Sequence, residues 1–155
     1  MAKQSAGILA YRVNDDVLEV FLVHPGGPFW KNKDAGAWSI PKGEFNDNEE
    51  PLSAARREFE EETGQSIAGD FIELKPVKLK SGKTVYAWAV AAEVDENSIQ
   101  SNTFELEWPP RSGKMIQVPE IDQAGWFDVP AAMEKINPAQ MALIDELAKL
   151  LKANS

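Results

Sequence analysis

Carboxylates are concentrated near the middle of the chain, where four of the five residues from 58 to 62 are glutamates. At about 100° per residue in a helix, Glu58, Glu61 and Glu62 fall within an arc of about 100°. Like charges at this spacing repel, and carboxylates near a helix C-terminus oppose the helix dipole. A bound cation would reverse both effects, so the cluster indicates a metal site. The alternative interpretation is a solvated acidic helix face.

The composition restricts the kind of metal and the kind of partner. There is no cysteine and only one histidine, so any metal must bind oxygen ligands. Such ligands select magnesium, manganese or calcium; we expect Mg²⁺, with Mn²⁺ able to replace it. The net charge of -9 argues against non-specific nucleic-acid binding. A small anionic substrate would need a local basic patch or bound cations.

The length and hydropathy of the chain indicate one domain, residues 1–155, of ordinary globular composition. No apolar run approaches the roughly 18 residues that a membrane span requires. We therefore expect a cytoplasmic protein that makes no membrane contact and is a monomer or a homodimer.

The elements that must position the glutamates can be predicted from apolar spacing and chain breakers. We expect a hairpin of residues 5–13 and 17–24 at one edge of the sheet. A helix from about residue 48–51 to Thr63 should end at Gly64. The other predicted elements are a loop at 25–36, strands at 37–40, 71–80, 84–94 and 125–129, and a closing amphipathic helix at 138–152. Together they predict an α/β protein with a mixed sheet sandwiched between helices.

Residues 43–64 resemble the Nudix box. In that motif a glycine is followed after five residues by glutamate, and after seven more by Arg-Glu, an apolar residue, a free position, Glu-Glu, a free position and glycine. The matching residues here are Gly43, Glu49, Arg57, Glu58, Phe59, Glu61, Glu62 and Gly64. One departure is Gln65, where the family usually has an apolar residue, and it affects local packing only. The resemblance implies the Nudix fold.

The resemblance also implies roles for these residues. Glu58, Glu61 and Glu62 would hold the metals, helped by the backbone carbonyl of Gly43. Glu58 is the first choice for the base that deprotonates the attacking water, and Glu61 is also assigned to catalysis. Arg57 and Glu49 would form an ion pair that orients the helix against the loop.

Two residues outside the helix are further candidates. Glu120 stands six residues before Trp126, about where MutT-like members carry another glutamate, so it is assigned to both catalysis and metal binding. A surface charge is the alternative interpretation of Glu120. Lys42 lies beside the motif glycine and is a candidate phosphate contact; its alternative is a solvated loop lysine.

Other substrate contacts are predicted from composition. The loop at 107–114 carries Arg111 and Lys114 among prolines, which suits phosphate binding, although such a loop can be a plain surface excursion. Trp30, Trp38 and Tyr86 are candidates for stacking on a base, and packing in the core or at its rim is the alternative for each. We expect His24 to have a capping or packing role.

The reaction that the resemblance implies is metal-dependent hydrolysis of a phosphoanhydride in a nucleoside diphosphate linked to another moiety. The substrate would be a small, nucleotide-like phosphorylated molecule. A dinucleoside polyphosphate is favoured because residues 38–43, Trp-Ser-Ile-Pro-Lys-Gly, resemble the corresponding stretch of enzymes that cleave such substrates. The alternatives are a MutT-like nucleoside triphosphate pyrophosphohydrolase and a catalytically silent, nucleotide-sensing Nudix domain. An acidic interaction protein is a third interpretation.

Overall fold

The first two strands form the expected hairpin. β1 (Gln4–Asn14) and β2 (Val17–Pro25) pair antiparallel, and Asp15 and Asp16 between them have positive φ angles of 52° and 65°. Two such residues make the tight turn whose twist fits adjacent strands. The structure is a computed structural model that describes residues 3–153; the rest of the predicted domain range 1–155 lies outside the described residues.

The hairpin lies inside the sheet, so its predicted position at an edge is wrong. β1 pairs in parallel with β6 (Thr84–Ala91), and β2 pairs antiparallel with β9 (Ile121–Asp128). The free sides of both hairpin strands are thus taken by strands that come much later in the sequence. Three short strands complete the seven-stranded sheet: β3 (Lys42–Glu44) beside β1, and β4 (Ile72–Glu73) and β5 (Val77–Lys78) beside β6.

Helices cover both faces of the sheet. The helices are α1 (Pro51–Thr63), α2 (Val129–Lys135) and α3 (Met141–Ala153), with a short 3-10 helix at Pro138–Gln140 before α3. Alternate residues of β1 separate the two core layers, since Ile8 packs in the cluster that contains Phe59 of α1, whereas Leu9 packs in the cluster that contains Leu147 of α3. The expectation of an α/β sandwich with a mixed sheet is confirmed. None of the helices within residues 3–153 is both long and apolar enough to cross a membrane.

Both ends of α1 follow the sequence signals. At its start the Glu50 carboxylate accepts a hydrogen bond of 2.7 Å from the Ser53 backbone N–H. At its end Gly64 has a left-handed φ of 75°. Gln65, the departure from the family motif, replaces apolar packing by two hydrogen bonds to the backbone of Asp95, of 2.8 and 3.0 Å.

Other elements differ from the prediction. Residues 37–40 make only isolated bridges, and the predicted strand at 71–80 is split into β4 and β5 around Pro76, which has no N–H to donate. The last strand begins at Ile121 instead of residue 125. An unpredicted two-stranded sheet joins β7 (Thr103–Glu107) to β8 (Met115–Pro119), and α2 was also missed. Most of the β7 and β8 residues are exposed, so the hairpin lacks the buried apolar alternation by which a strand is predicted.

Candidate active site

Glu58 lies where α1 meets β3. Its side chain is buried, and a Cβ atom on Gly43 would overlap its carboxyl group. Pairing of Gly43 with Ala6 of β1 fixes the β3 backbone at this place. Glycine at position 43 is therefore required sterically, because only a residue without a side chain lets the carboxylate approach the β3 backbone.

Glu62, one helical turn further on, is held against the same strand. One of its carboxylate oxygens accepts a hydrogen bond of 3.2 Å from the Lys42 backbone N–H. Burial raises the pKa of Glu62 to about 8, and burial also raises the pKa of Glu58. In the absence of a cation, the fold thus disfavours the charged forms of these two carboxyl groups.

Arg57 connects three of the acidic side chains. Its guanidinium donates two hydrogen bonds, of 3.0 and 3.1 Å, to the Glu49 carboxylate, so the predicted ion pair is present. Nη1 of Arg57 also donates to Glu58 at 2.8 Å and to Glu61 at 3.2 Å, contacts that were not predicted. The i,i+4 spacing of Arg57 and Glu61 is a sequence signal that could have indicated the second contact.

Glu120 reaches the same acidic group from another part of the chain. It precedes β9, where its backbone N–H donates to Asn102 at 2.8 Å and its carbonyl accepts from Gly26 at 3.0 Å. Burial and the negative charge of Glu61 raise the pKa of Glu120. The charge of Glu120 in turn contributes to the raised pKa values of Glu58 and Glu62. The structure therefore brings Glu120 to the glutamates of α1.

Two adjoining cavities, of about 240 and 540 Å³, open beside these carboxylates. They share a wall of five residues: Pro25, Trp30, Lys42, Glu62 and Glu120. Gly43, Glu58 and Glu61 line the larger cavity, and Trp38 lines the smaller one. Every residue assigned to metal binding thus borders one cleft, together with Lys42.

The remaining candidates are placed differently. Trp38 is buried, and its indole N–H donates to Asp34 at 2.7 Å. Tyr86 packs against the ring of Phe45, and it lines neither cavity of the cleft. Arg111 and Lys114 are exposed at the tip of the β7–β8 hairpin, and neither residue borders the cleft.

His24 has a positioning role that the sequence only partly indicated. Its ring is buried, with Nδ1 2.8 Å from the Asp122 carboxylate and Nε2 close to the carbonyl oxygen of Lys33. The ring therefore ties the loop at 25–36, which carries Trp30, to β9. The contact with Asp122 spans 98 residues, so spacing in the sequence gave no sign of it.

The side chains of the cleft fit a hard divalent cation in their chemistry. Four carboxylates and the Gly43 carbonyl offer oxygen ligands alone, as magnesium prefers. Among residues 3–153, no three acidic or histidine side chains stand close enough to share an ion in the present arrangement. Arg57 holds Glu58 and Glu61, and the Lys42 N–H holds Glu62. For a cation to bind, some of these hydrogen bonds and ion pairs would have to be replaced by bonds from the carboxylates to the cation.

The fold and the cleft define an α/β sandwich protein with a carboxylate-lined site. The NUDIX domain model matches residues 1–147, and the chain belongs to this family. A Caenorhabditis elegans Ap4A hydrolase binary complex superposes with a TM-score of 0.70 at 18% identity, covering 98% of this chain and 99% of that one. The NUDIX domain of Shewanella oneidensis NrtR, complexed with ADP ribose, has a TM-score of 0.65 at 16% identity, over 97% and 89% of the two chains.

Two curated relatives match part of the chain. The mRNA-decapping protein g5R of African swine fever virus is 33% identical over 99 residues, which are 61% of this chain and 38% of that protein. An octanoyltransferase of Myxococcus xanthus is 28% identical over 101 residues, 65% of this chain and 25% of that protein. This chain therefore spans well under half the length of either relative.

Proposed function

We propose that this chain hydrolyses a phosphoanhydride bond in a nucleoside diphosphate linked to another moiety, using divalent metal ions. The favoured substrate is a dinucleoside polyphosphate. The observation that carries the proposal is the convergence of Glu58, Glu61 and Glu62 of α1 with Glu120, which comes from outside the motif, on one cleft. If the glutamates of α1 formed only a solvated acidic face, nothing would explain why a fourth, partly buried carboxylate lies at the same cleft.

Each side chain of the cleft has a role in this proposal. Metal ions bound by Glu58, Glu61, Glu62, Glu120 and the Gly43 carbonyl would lower the pKa of the attacking water and neutralise phosphate charge. Glu58, buried beside Gly43, is the proposed proton acceptor. The ammonium group of Lys42 would bind a phosphate that does not react.

The comparisons support a nucleotide as substrate. The names of two similar proteins, an Ap4A hydrolase and an mRNA-decapping protein, both refer to nucleotide-containing molecules. The smaller cavity adds an aromatic wall of Trp30 and Trp38 beside Lys42, a combination that suits a nucleoside joined to phosphates. The MutT-like activity on nucleoside triphosphates is the alternative that the same cleft allows.

The test is a panel of dinucleoside polyphosphates, nucleoside triphosphates and ADP-ribose, each with Mg²⁺ and with Mn²⁺, with the products identified by chromatography. We expect cleavage of at least one dinucleoside polyphosphate and none in the presence of a chelator. The matched variants are Glu61→Gln, which should lose activity, and Glu105→Gln on the exposed β7 strand, which should keep it. Binding without cleavage of every compound would instead support a silent, nucleotide-sensing domain.

A further inference from the structure

The buried ring of His24, the single histidine of the chain, lies between two oxygen atoms. Nδ1 is 2.8 Å from a carboxylate oxygen of Asp122, and Nε2 is close to the carbonyl oxygen of Lys33. An ionised carboxylate and a carbonyl oxygen can only accept hydrogen bonds. A neutral ring has one N–H, so one of the two oxygens would face a lone pair of the ring. Both contacts are satisfied together when each ring nitrogen carries a proton.

Two carboxylates face the ring from different elements. Asp122 belongs to β9, and Asp34 belongs to the loop at 25–36, where it also pairs with Lys135 of α2 at 2.8 Å. The hydrogen bond from Lys135 lowers the pKa of Asp34, and the positive charge of His24 lowers it further. Negative charge on two sides of the ring favours its doubly protonated form, which burial alone would disfavour.

The contact between His24 and Lys33 acts on a wall of the cleft. The Lys33 backbone N–H donates to the Trp30 carbonyl at 2.9 Å, and the Trp30 N–H donates to the Gly27 carbonyl at 3.2 Å. The ammonium group of Lys33 lies over the rings of Phe29 and Trp30, at 3.9 and 5.2 Å from their centroids. Trp30 lines both cavities of the cleft. The position of Lys33 therefore determines the position of this aromatic wall.

The middle of the loop is attached to the rest of the protein by this contact. At the start of the loop, Pro25 pairs with Ile121, and the Gly26 N–H donates to the Glu120 carbonyl at 3.0 Å. Within residues 3–153, the contact of the Lys33 carbonyl with His24 is the one hydrogen bond that links residues 28–33 to a residue outside the loop. Without it, Trp30 would be held only by contacts within its own loop.

We infer that His24, with both ring nitrogens protonated, is a positioning residue that fixes Trp30 in the wall of the cleft. The inference rests on the proposed function, in which Trp30 lies against the nucleoside of the substrate. The glutamates of α1 are held by other contacts, from Arg57 and from the Lys42 N–H. Loss of the bond to Lys33 should therefore weaken substrate binding and raise KM, with little change in kcat.

The protonation of the ring can be measured directly by NMR. In protein labelled with ¹⁵N-histidine and carrying no histidine tag, every imidazole signal comes from His24. At neutral pH we expect two protonated ring nitrogens, with the Nε2-bound proton visible because its hydrogen bond is buried. One unprotonated nitrogen would overturn the doubly protonated ring, and an unobservable Nε2-bound proton would overturn the bond to Lys33. The measurement uses the wild type, so it does not depend on the folding of any variant.

Two substitutions of His24 separate positioning from stability. The amide of glutamine can occupy the place of Nε2 and donate to Lys33, whereas the shorter asparagine reaches only the place of Nδ1, beside Asp122. Both variants lose the buried ring, so both should melt lower than the wild type. We expect His24→Asn to raise the KM for a cleaved nucleotide roughly tenfold, with kcat nearly unchanged, and His24→Gln to stay close to the wild type.

Amide hydrogen exchange tests the same role without turnover. The backbone N–H groups of Trp30 and Lys33 should exchange faster in His24→Asn than in His24→Gln, since the first variant releases the loop. Equal exchange at these amides in the two variants would overturn the positioning role even if the protein cleaves nucleotides. Faster exchange in His24→Asn alone would support it even if no nucleotide is cleaved, in which case only the proposed function fails.

Discussion

The helices α1 and α3 have the same length of 13 residues and pack on opposite faces of one sheet, but their last turns differ. α3 has Lys152 in its last turn, which complements the helix dipole, whereas α1 has no basic residue there and ends in glutamates. Both helices bury an apolar stripe, with Phe59 in α1 and Leu147 in α3. We propose that the functional site lies at the end of α1, where the helix departs from what its own stability favours.

The largest expected effect is a loss of activity when glutamates of α1, but not acidic residues of α3, are replaced. Glu61→Gln and Glu62→Gln should each reduce kcat by roughly a hundredfold or more, since each removes a ligand charge of the proposed metal site. The fold should remain intact because the side chain keeps its size. Steady-state kinetics would measure the loss, with Asp145→Asn on α3 as the matched control. An unchanged kcat in either α1 variant would refute its assignment to the metal.

A substitution in the buried face of α3 should have the opposite effect, lowering stability but not activity. Leu147→Ala removes a fully buried side chain from the core and should lower the free energy of unfolding by about 2–5 kcal/mol. Denaturation in urea would measure this loss. The kcat of the remaining folded protein should stay near that of the wild type, and a large fall in kcat would show that α3 also shapes the site.

Glu120 lies beside the glutamates of α1 but comes from another part of the chain. Its replacement tests whether a residue outside α1 contributes to catalysis. Glu120→Gln should lower kcat by roughly ten- to a thousandfold, about 1.4–4 kcal/mol of barrier. Its melting temperature should change little, because such substitutions at a loop cost under about 0.5 kcal/mol.

The structure shows which acidic residue can serve as the control for Glu120→Gln. Asp122, the neighbouring acidic residue, is unsuitable because it bonds to the buried ring of His24 at 2.8 Å. Glu105→Gln on β7 is the better control, since an amide at that place can still accept the hydrogen bond from Gln117. Wild-type kcat in Glu120→Gln would remove this residue from the catalytic group.

A smaller effect is expected for the basic residues. Lys42→Ala should raise KM roughly tenfold with little change in kcat, because a contact to an unreacting phosphate is equally strong in ground and transition states. Arg111→Ala, at the exposed hairpin tip, tests whether that tip takes part in binding. From its place outside the cleft we expect less than a twofold change in KM. A rise as large as that for Lys42→Ala would restore the predicted phosphate contact.

The sequence predicted α1 and the helical spacing of its glutamates well because that information is local. Capping at Gly64 and the helical spacing of Glu58, Glu61 and Glu62 depend on neighbours in the chain. The position of the first hairpin inside the sheet depends on β6 and β9, which are distant in sequence. The same is true of the pairing of His24 with Asp122, since no local pattern in the sequence records a contact that forms only when β2 pairs with β9.

The most direct test of the central claim compares the melting temperatures of the wild type and Glu62→Gln, with a chelator and with Mg²⁺ or Mn²⁺. Burial raises the pKa of Glu62 from 4.5 to about 8, so its charged form opposes folding increasingly as the pH rises through this range. At neutral pH in chelator, Glu62→Gln should therefore melt no lower than the wild type. Added cation should raise the melting temperature of the wild type by several degrees and that of the variant by less. If the variant melts many degrees lower in chelator, Glu62 has a structural role instead. If the cation leaves the melting temperature of the wild type unchanged, the glutamates of α1 do not form a metal site.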